Sequence, residues 1–179
     1  GTSNDLTFKA TGNIVNGAAK TFQSNGGPIV FWANAAGGNG YVSIYAGSKV
    51  NTVNGTESRT STGGGDIILR GQNVNTSANV MSFGVMGGGV TVDSGVGKIS
   101  ISGKATGSAT VNAQAISSYG NGYTLRSINT TSQAIMVEGD ASAVNGTNAS
   151  LGINFGGSIE ATGTGGGISI TGKSGTAAV

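Results

Sequence analysis

The stretch GKISISG, residues 97–103, decides how this chain is read. Ile99 and Ile101 stand two residues apart, so an extended strand puts both on one face and Ser100 and Ser102 on the other. A glycine closes each end. The same phrase returns as GYVSIYAG at 40–47, GDIILRG at 65–71 and GGISITG at 166–172, and as AIMVEG at 134–139 without its leading glycine. Looser matches pair NVNTSANVMSFGV (73–85) with AVNGTNASLGINF (143–155), and ATVNAQAIS (109–117) with NIVNGAAKTF (13–22). From Ile67 onward the units recur about every 32 to 37 residues, and less regularly before it.

Composition fits a chain assembled from such strands. Of 179 residues, 35 are Gly, one is Pro and 9% are charged, against about 7% Gly and about 25% charged in an average domain. Ile and Val together number 29, and Leu only four. β-Branched residues suit the pleated strand and lose rotamer freedom in a helix. No Pro-rich tract or charge run marks a disordered segment, and no window of ten residues carries a helical period. The expectation is an all-β chain of short strands with Gly and Asn corners, forming one segment over residues 1–179.

Two all-β architectures compete. A sandwich or barrel would join antiparallel strands through Asn-Gly turns, for which Asn25-Gly26, Asn54-Gly55 and Asn145-Gly146 are available. A parallel β-helix, or β-solenoid, would stack strand-corner-strand units on one another. A sandwich has no reason to restate one strand and corner five times, whereas a solenoid does, with corners free to vary in length. The solenoid is therefore the expected fold. At about 20 residues per turn the chain would make a rod about 40 Å long. Its apolar column would contain Ile29, Phe31, Val42, Ile44, Ile67, Leu69, Ile99, Ile101, Leu151, Ile153, Phe155, Ile168 and Ile170, with Val111 beside Ile99 and Ile101.

The absent residues narrow the function. With neither Cys nor His, the chain has no disulfide, no thiolate nucleophile, no zinc site of a common type and no His-based triad. The net charge is +2, and the nine Lys and Arg are scattered singly from Lys9 to Lys173. They make no basic patch, so a nucleic-acid partner is not expected. No apolar run approaches the roughly 20 residues that cross a bilayer, so membrane insertion is not expected. No signal peptide opens the chain and strand pattern begins at once, as in an excerpt from a longer repetitive protein.

At this point a resemblance can be stated. The run 24–55, SNGGPIVFWANAAGGNGYVSIYAGSKVNTVNG, followed by GGGDIILRG and GKISISGKATG, resembles the large bacterial exoproteins of the filamentous haemagglutinin type. Asn25, Gly26, Gly27, Ile29 and Phe31 match the phrase N-G-G-x-I-x-F. Gly40, Val42, Ile44, Ala46, Gly47 and Val50 match the phrase G-G-x-I-x-I-x-A-G-x-x-I-x-T. The resemblance extends loosely over most of the chain. It implies a right-handed parallel β-helix, export to the bacterial cell surface and a part in adhesion.

Candidate sites are few. Glu138 and Asp140 are the closest carboxylates in sequence, on either side of Gly139, and are expected at a solvated corner. Gly63-Gly64-Gly65-Asp66 is a single, isolated copy of a calcium-repeat phrase, and no metal or other cofactor is expected from it. Gly103-Lys104 and Gly172-Lys173 lack a phosphate-loop context and are expected at corners, with the lysines keeping the wall wet. Five N-x-S/T sequons, at Asn54, Asn75, Asn129, Asn145 and Asn148, are about what this composition gives by chance. The best lead is aromatic. If Ile29, Phe31, Val42 and Ile44 face inward, then Trp32, Tyr41 and Tyr45 face outward as a patch for a sugar or protein. The expectation is therefore a non-enzymatic, extracellular rod whose walls meet a host or neighbouring-cell glycan or protein, with end-to-end continuation or self-association. A structural filament and a polysaccharide-processing enzyme are the alternatives, the enzyme requiring three or more carboxylates on one wall.

Overall fold

A computed structural model describes residues 4–53, 63–74, 82–107, 113–118, 120–146 and 150–177, and among them there is no helix. Strands follow one another in threes. The first pass holds β1 (Leu6–Lys9), β2 (Ile14–Val15) and β3 (Thr21–Gln23), and the second β4 (Ile29–Trp32), β5 (Val42–Ile44) and β6 (Lys49–Asn51). The third holds β7 (Ile67–Val74), β8 (Ser82–Gly87) and β9 (Val90–Asp93). The fourth holds β10 (Ile99–Gly107), β11 (Ala113–Ser118) and β12 (Tyr123–Ser127). The fifth holds β13 (Ile135–Gly146), β14 (Ser150–Asn154) and β15 (Gly157–Ala161), before β16 (Ile168–Lys173) and β17 (Thr176–Ala177).

Each strand pairs with its counterpart three places on, giving three sheets. Their orders are β1-β4-β7-β10-β13-β16 with β17 on β13, β2-β5-β8-β11-β14, and β3-β6-β9-β12-β15. Among the described residues every strand pairing is parallel, and one isolated bridge, Gly40 to Gln72, is antiparallel. The hairpin alternative therefore fails. Asn25 and Gly26 both take positive φ, 52° and 104°, but they turn the chain from β3 into β4 in a different sheet. Asn145-Gly146 lies within β13, and Asn54-Gly55 lies outside the described residues.

Register explains why the repeat was visible. Leu6, Ile29, Ile67, Ile99, Ile135 and Ile168 are aligned from strand to strand, as are Phe8, Phe31, Leu69, Ile101, Val137 and Ile170. The aligned residues of the first row are 23, 38, 32, 36 and 33 residues apart. A pass is thus longer than the expected 20, because it makes three walls. Six layers about 4.8 Å apart span only about 24 Å from β1 to β16.

Most of the expected column is inside: Ile29, Phe31, Val42, Ile44, Ile67, Leu69, Ile99 and Ile101 are all buried. Ile153 and Phe155 are partly buried and pack against the same core. Three residues depart from it. Ile168 and Ile170 hold inward positions but are 46% and 54% exposed, since β16 is the last strand of its sheet and nothing described lies beyond it. Leu151 points out, 39% exposed, because β14 does not alternate evenly: Ser150 and Gly152 are buried, and then Ile153 turns to the core. The neighbouring β11 does the same, with Ala113, Ala115 and Ile116 all buried. The looser repeat is also out by two residues, since the stack aligns Val85 with Ile116 and Ile153, not with Phe155. Val111 lies outside the described residues.

The face switch follows from a pinch in the cross-section. Gly71, Gly103, Gly139 and Gly172 align on four successive strands. These are glycines within strands, not the corners expected of Gly103-Lys104 and Gly172-Lys173. A Cβ on Gly103 would run into the Ala115 carbonyl oxygen, and one on Gly139 into the Gly152 carbonyl oxygen. Backbone meets backbone there, and only glycine permits it. On one side of the pinch lies the main core. On the other lies a small cluster of Ala105, Ala113, Ala115, Ala141 and Val144.

The third sheet was hardly visible in the sequence. Val50, Val92 and Leu125 are fully buried and stack in register with Phe22 before and Ile159 after them. Tyr123 is also fully buried, with its ring stacked on Phe155 at 5.5 Å. The corner into the first sheet is lined by the buried hydroxyls of Ser24, Thr52, Ser94 and Ser127. Ser24 donates to the Gly27 carbonyl, Thr52 to that of Gly65 at 2.8 Å, and Ser94 and Ser127 to that of Gly97 at 2.7 and 2.8 Å. Hydroxyls reach those turning carbonyls where the ladder does not, so the polar groups are satisfied without water.

Candidate functional site

Outward positions of the first sheet form the most featured wall. One row runs Lys9, Trp32, Arg70, Ser102, Glu138 and Thr171, and the next outward row runs Gln72, Lys104, Asp140 and Lys173. Between the two rows lies the glycine ladder. Two adjacent clefts open there, sharing Ser102 and Lys104 in their linings, and make up a groove in two parts. The first, of 270 Å³, is lined among others by Trp32, Asn34, Arg70 and Gln72. The second, of 300 Å³, is lined among others by Glu138, Asp140, Thr171 and Lys173.

Trp32 is half-buried and held in a cation–aromatic ladder. Lys9 Nζ lies 5.0 Å and Arg70 Cζ 5.1 Å from its ring, from the strands on either side of β4. Such contacts are worth about 0.5–1 kcal/mol each at exposed sites. The ring is thus paired with a cation from each neighbouring strand. The expected patch is also divided. Trp32 belongs to the first sheet, whereas Tyr41 and Tyr45 flank β5 in the second, within the same pass. Neither tyrosine lines the groove. Tyr41 is half-buried and Tyr45 is 50% exposed. Their backbone amides donate to the Asn13 and Asn16 side-chain oxygens at 3.1 and 2.7 Å.

Glu138 and Asp140 lie in the middle of the long strand β13, not at a corner, and both face the groove. Asp140 is closely engaged. Its Oδ1 accepts the Ser142 hydroxyl at 2.5 Å and the Ser142 amide at 2.9 Å, where a shift of register bulges β13 against β10. Those two hydrogen bonds, and then the charges of Lys173 and Lys104, hold its carboxyl below the usual value against the opposing effect of burial. Lys104 and Lys173 are its register neighbours on either side.

The remaining candidates are parts of corners. Asp66 Oδ1 accepts the Lys98 amide at 2.8 Å, and no three acidic side chains gather to hold an ion among the described residues. Asn129 closes the turn after β12: its Nδ2 donates to the Val96 carbonyl at 2.7 Å, and its Oδ1 accepts the Thr131 amide at 2.9 Å. Asn145 is exposed on β13, while Asn54, Asn75 and Asn148 lie outside the described residues. On the third sheet Arg126 stands in register between Asp93 and Glu160, with its Nε 3.8 Å from Glu160 Oε2. Sequence reasoning missed the groove because its lining comes from five strands up to 38 residues apart. The one signal available was the polar residue on each side of the recurrent closing glycine: Arg70 and Gln72, Ser102 and Lys104, Glu138 and Asp140, Thr171 and Lys173. No family model, no curated protein and no solved structure matches this chain.

Proposed function

We propose that this chain is a stretch of right-handed parallel β-helix serving as the stiff stalk of a secreted bacterial surface adhesin or fibre. The observation that supports this is the register of the first sheet, where six inward apolar residues from Leu6 to Ile168 stack in one unbroken row. Crossovers between parallel strands of one sheet are right-handed in about 98% of cases, which gives the hand. Backbone ladders running along the stack, with stacked side chains inside them, resist bending. The resemblance to filamentous haemagglutinin-type exoproteins supplies export and adhesion.

Pulling the chain by its two ends tests the rod. A stack of repeating units should give way pass by pass, each pass of some 32 to 38 residues releasing roughly 110–130 Å of chain. Collapse in one event would overturn the reading. A panel of glycans and matrix proteins then separates an adhesin from a purely structural filament. Replacing Trp32 alone, and Tyr41 with Tyr45, by Ser separates the two halves of the aromatic patch, and unchanged binding in both would discard it. The enzymatic reading has less support. The groove presents two carboxylates, and Asp140, held below the usual pKa, is poorly suited to give up a proton to a leaving group.

A further inference from the structure

We infer that the groove over the glycine ladder binds an extended glycan in which acidic sugars alternate with uncharged ones. The inference rests on the reading of the chain as a rod that presents binding surfaces, and it names the surface and its ligand. Of the aromatic patch expected from the sequence it uses only Trp32, as a support for Arg70.

Shape comes first. The groove crosses the first sheet from β4 to β16, five strands or about 19 Å at the usual strand spacing. Each strand from β7 to β16 adds a fresh pair of polar side chains along it. The advance per strand is close to the advance of one sugar along an extended polysaccharide.

Charge then selects the ligand. At the Trp32 end the lining has Arg70 and Lys104 but no carboxylate. Trp32 keeps Arg70 in place through the ring contact. The second row reads Gln72, Lys104, Asp140, Lys173, so the two lysines are two strands apart, about 9.6 Å. That is close to one disaccharide repeat, and a carboxylate on every second sugar would meet each lysine in turn. The sugar between them would lie at Asp140 and Glu138, whose oxygens accept hydroxyl or amide protons. A polymer charged on every residue would bring a negative group against both carboxylates. Nucleic acid meets the same objection, since its binding draws on many uncompensated cations. A wholly neutral glycan would leave the lysines with only Asp140 between them.

Titration calorimetry of the full chain tests this with three probes: a hyaluronan hexasaccharide, in which glucuronate alternates with an N-acetylated sugar, cellohexaose, and a single-stranded oligothymidylate. The hyaluronan probe should bind roughly tenfold or more tighter than the other two, the gain expected of charge-assisted contacts. The variants Lys104→Gln and Lys173→Gln, both at exposed positions, should each weaken it roughly tenfold, while the thermal midpoint falls only by the small amount expected from removing one charge beside Asp140. The bound probe should also protect Lys104 and Lys173 from acetylation. Equal binding of cellohexaose or oligothymidylate, no binding of hyaluronan, or unchanged affinity in both lysine variants would each overturn the assignment. If hyaluronan fails while another member of the glycan and matrix panel binds, the groove falls and the rod stands. If the chain unravels in a single event under force, the rod falls whatever the titration gives.

Discussion

Gly103 brings β10 so close to β11 that a Cβ would strike the Ala115 carbonyl oxygen and come within 2.8 Å of the Ile116 side chain. Gly139 meets Gly152 and Ile153 in the same way. Gly172, on the last strand of the sheet, is exposed, and its added Cβ would find nothing nearer than 3.5 Å. Gly103→Ala and Gly139→Ala should therefore each cost about 3 kcal/mol, the upper part of the overpacking range, while Gly172→Ala costs under about 0.5 kcal/mol. Urea midpoints of the three variants check this; equal losses would mean that the glycines matter for chain conformation and not for the approach of the walls. Asp140 gives a second prediction. Its carboxyl has a lower pKa folded than unfolded, so its ionised form adds stability above the unfolded value, and that contribution fades as pH falls through the folded one. Asp140→Asn should lower the urea midpoint at neutral pH, and the deficit should vanish at a pH below both values. A deficit that persisted there would assign the effect to packing.

Strands carry their stability unequally. In β10, Ile101 is fully buried and has Leu69 on one side and Val137 on the other. In β16, Ile170 holds the same inward position at 54% exposure. Ile101→Ala should cost about 2–5 kcal/mol and Ile170→Ala under about 1 kcal/mol, as chemical unfolding would measure. The same contrast shows what the sequence made legible. In the first sheet β10 and β16 announce themselves because inward Ile and outward polar residues alternate between two glycines, and β7 and β13 follow the phrase more loosely, with Ile68 and Met136 at outward positions. Strands of the third sheet do not, because residues beside the corner, such as Asn51 and Asp93, are buried for their backbone contacts: each accepts an amide two residues ahead, that of Val53 at 2.8 Å and that of Gly95 at 3.1 Å. Leu151 was misplaced for a related reason. Strict alternation fails in a strand that passes from one chamber of the core to the other, and only the facing strand reveals where it turns. The groove was illegible because charge pairs across passes depend on pass length, which drifts from 23 to 38 residues.

For the whole molecule, stacking implies a gradient. β10 and β13 each have neighbours on both sides in their sheet, whereas β1 and β16 are edges among the described strands. Layers held mainly by their neighbours open from the ends inward. Amide exchange followed by mass spectrometry should find the slowest amides in β10 and β13, with protection declining toward β1 and β16. Uniform protection would instead mean that the stack opens as a single cooperative block. The glycine ladder bears on how such a chain changes over generations. What a side chain at Gly103 would strike is main chain, and no replacement at residue 115 removes a carbonyl oxygen. A lineage has no second-site change on the facing strand that relieves the clash, so a lost glycine can be restored only by reversion. When a pass is duplicated, the copy inherits the same restriction. Copies made in this way would keep the glycine at each interior pass while the neighbouring wall residues, which strike no main chain, diverged.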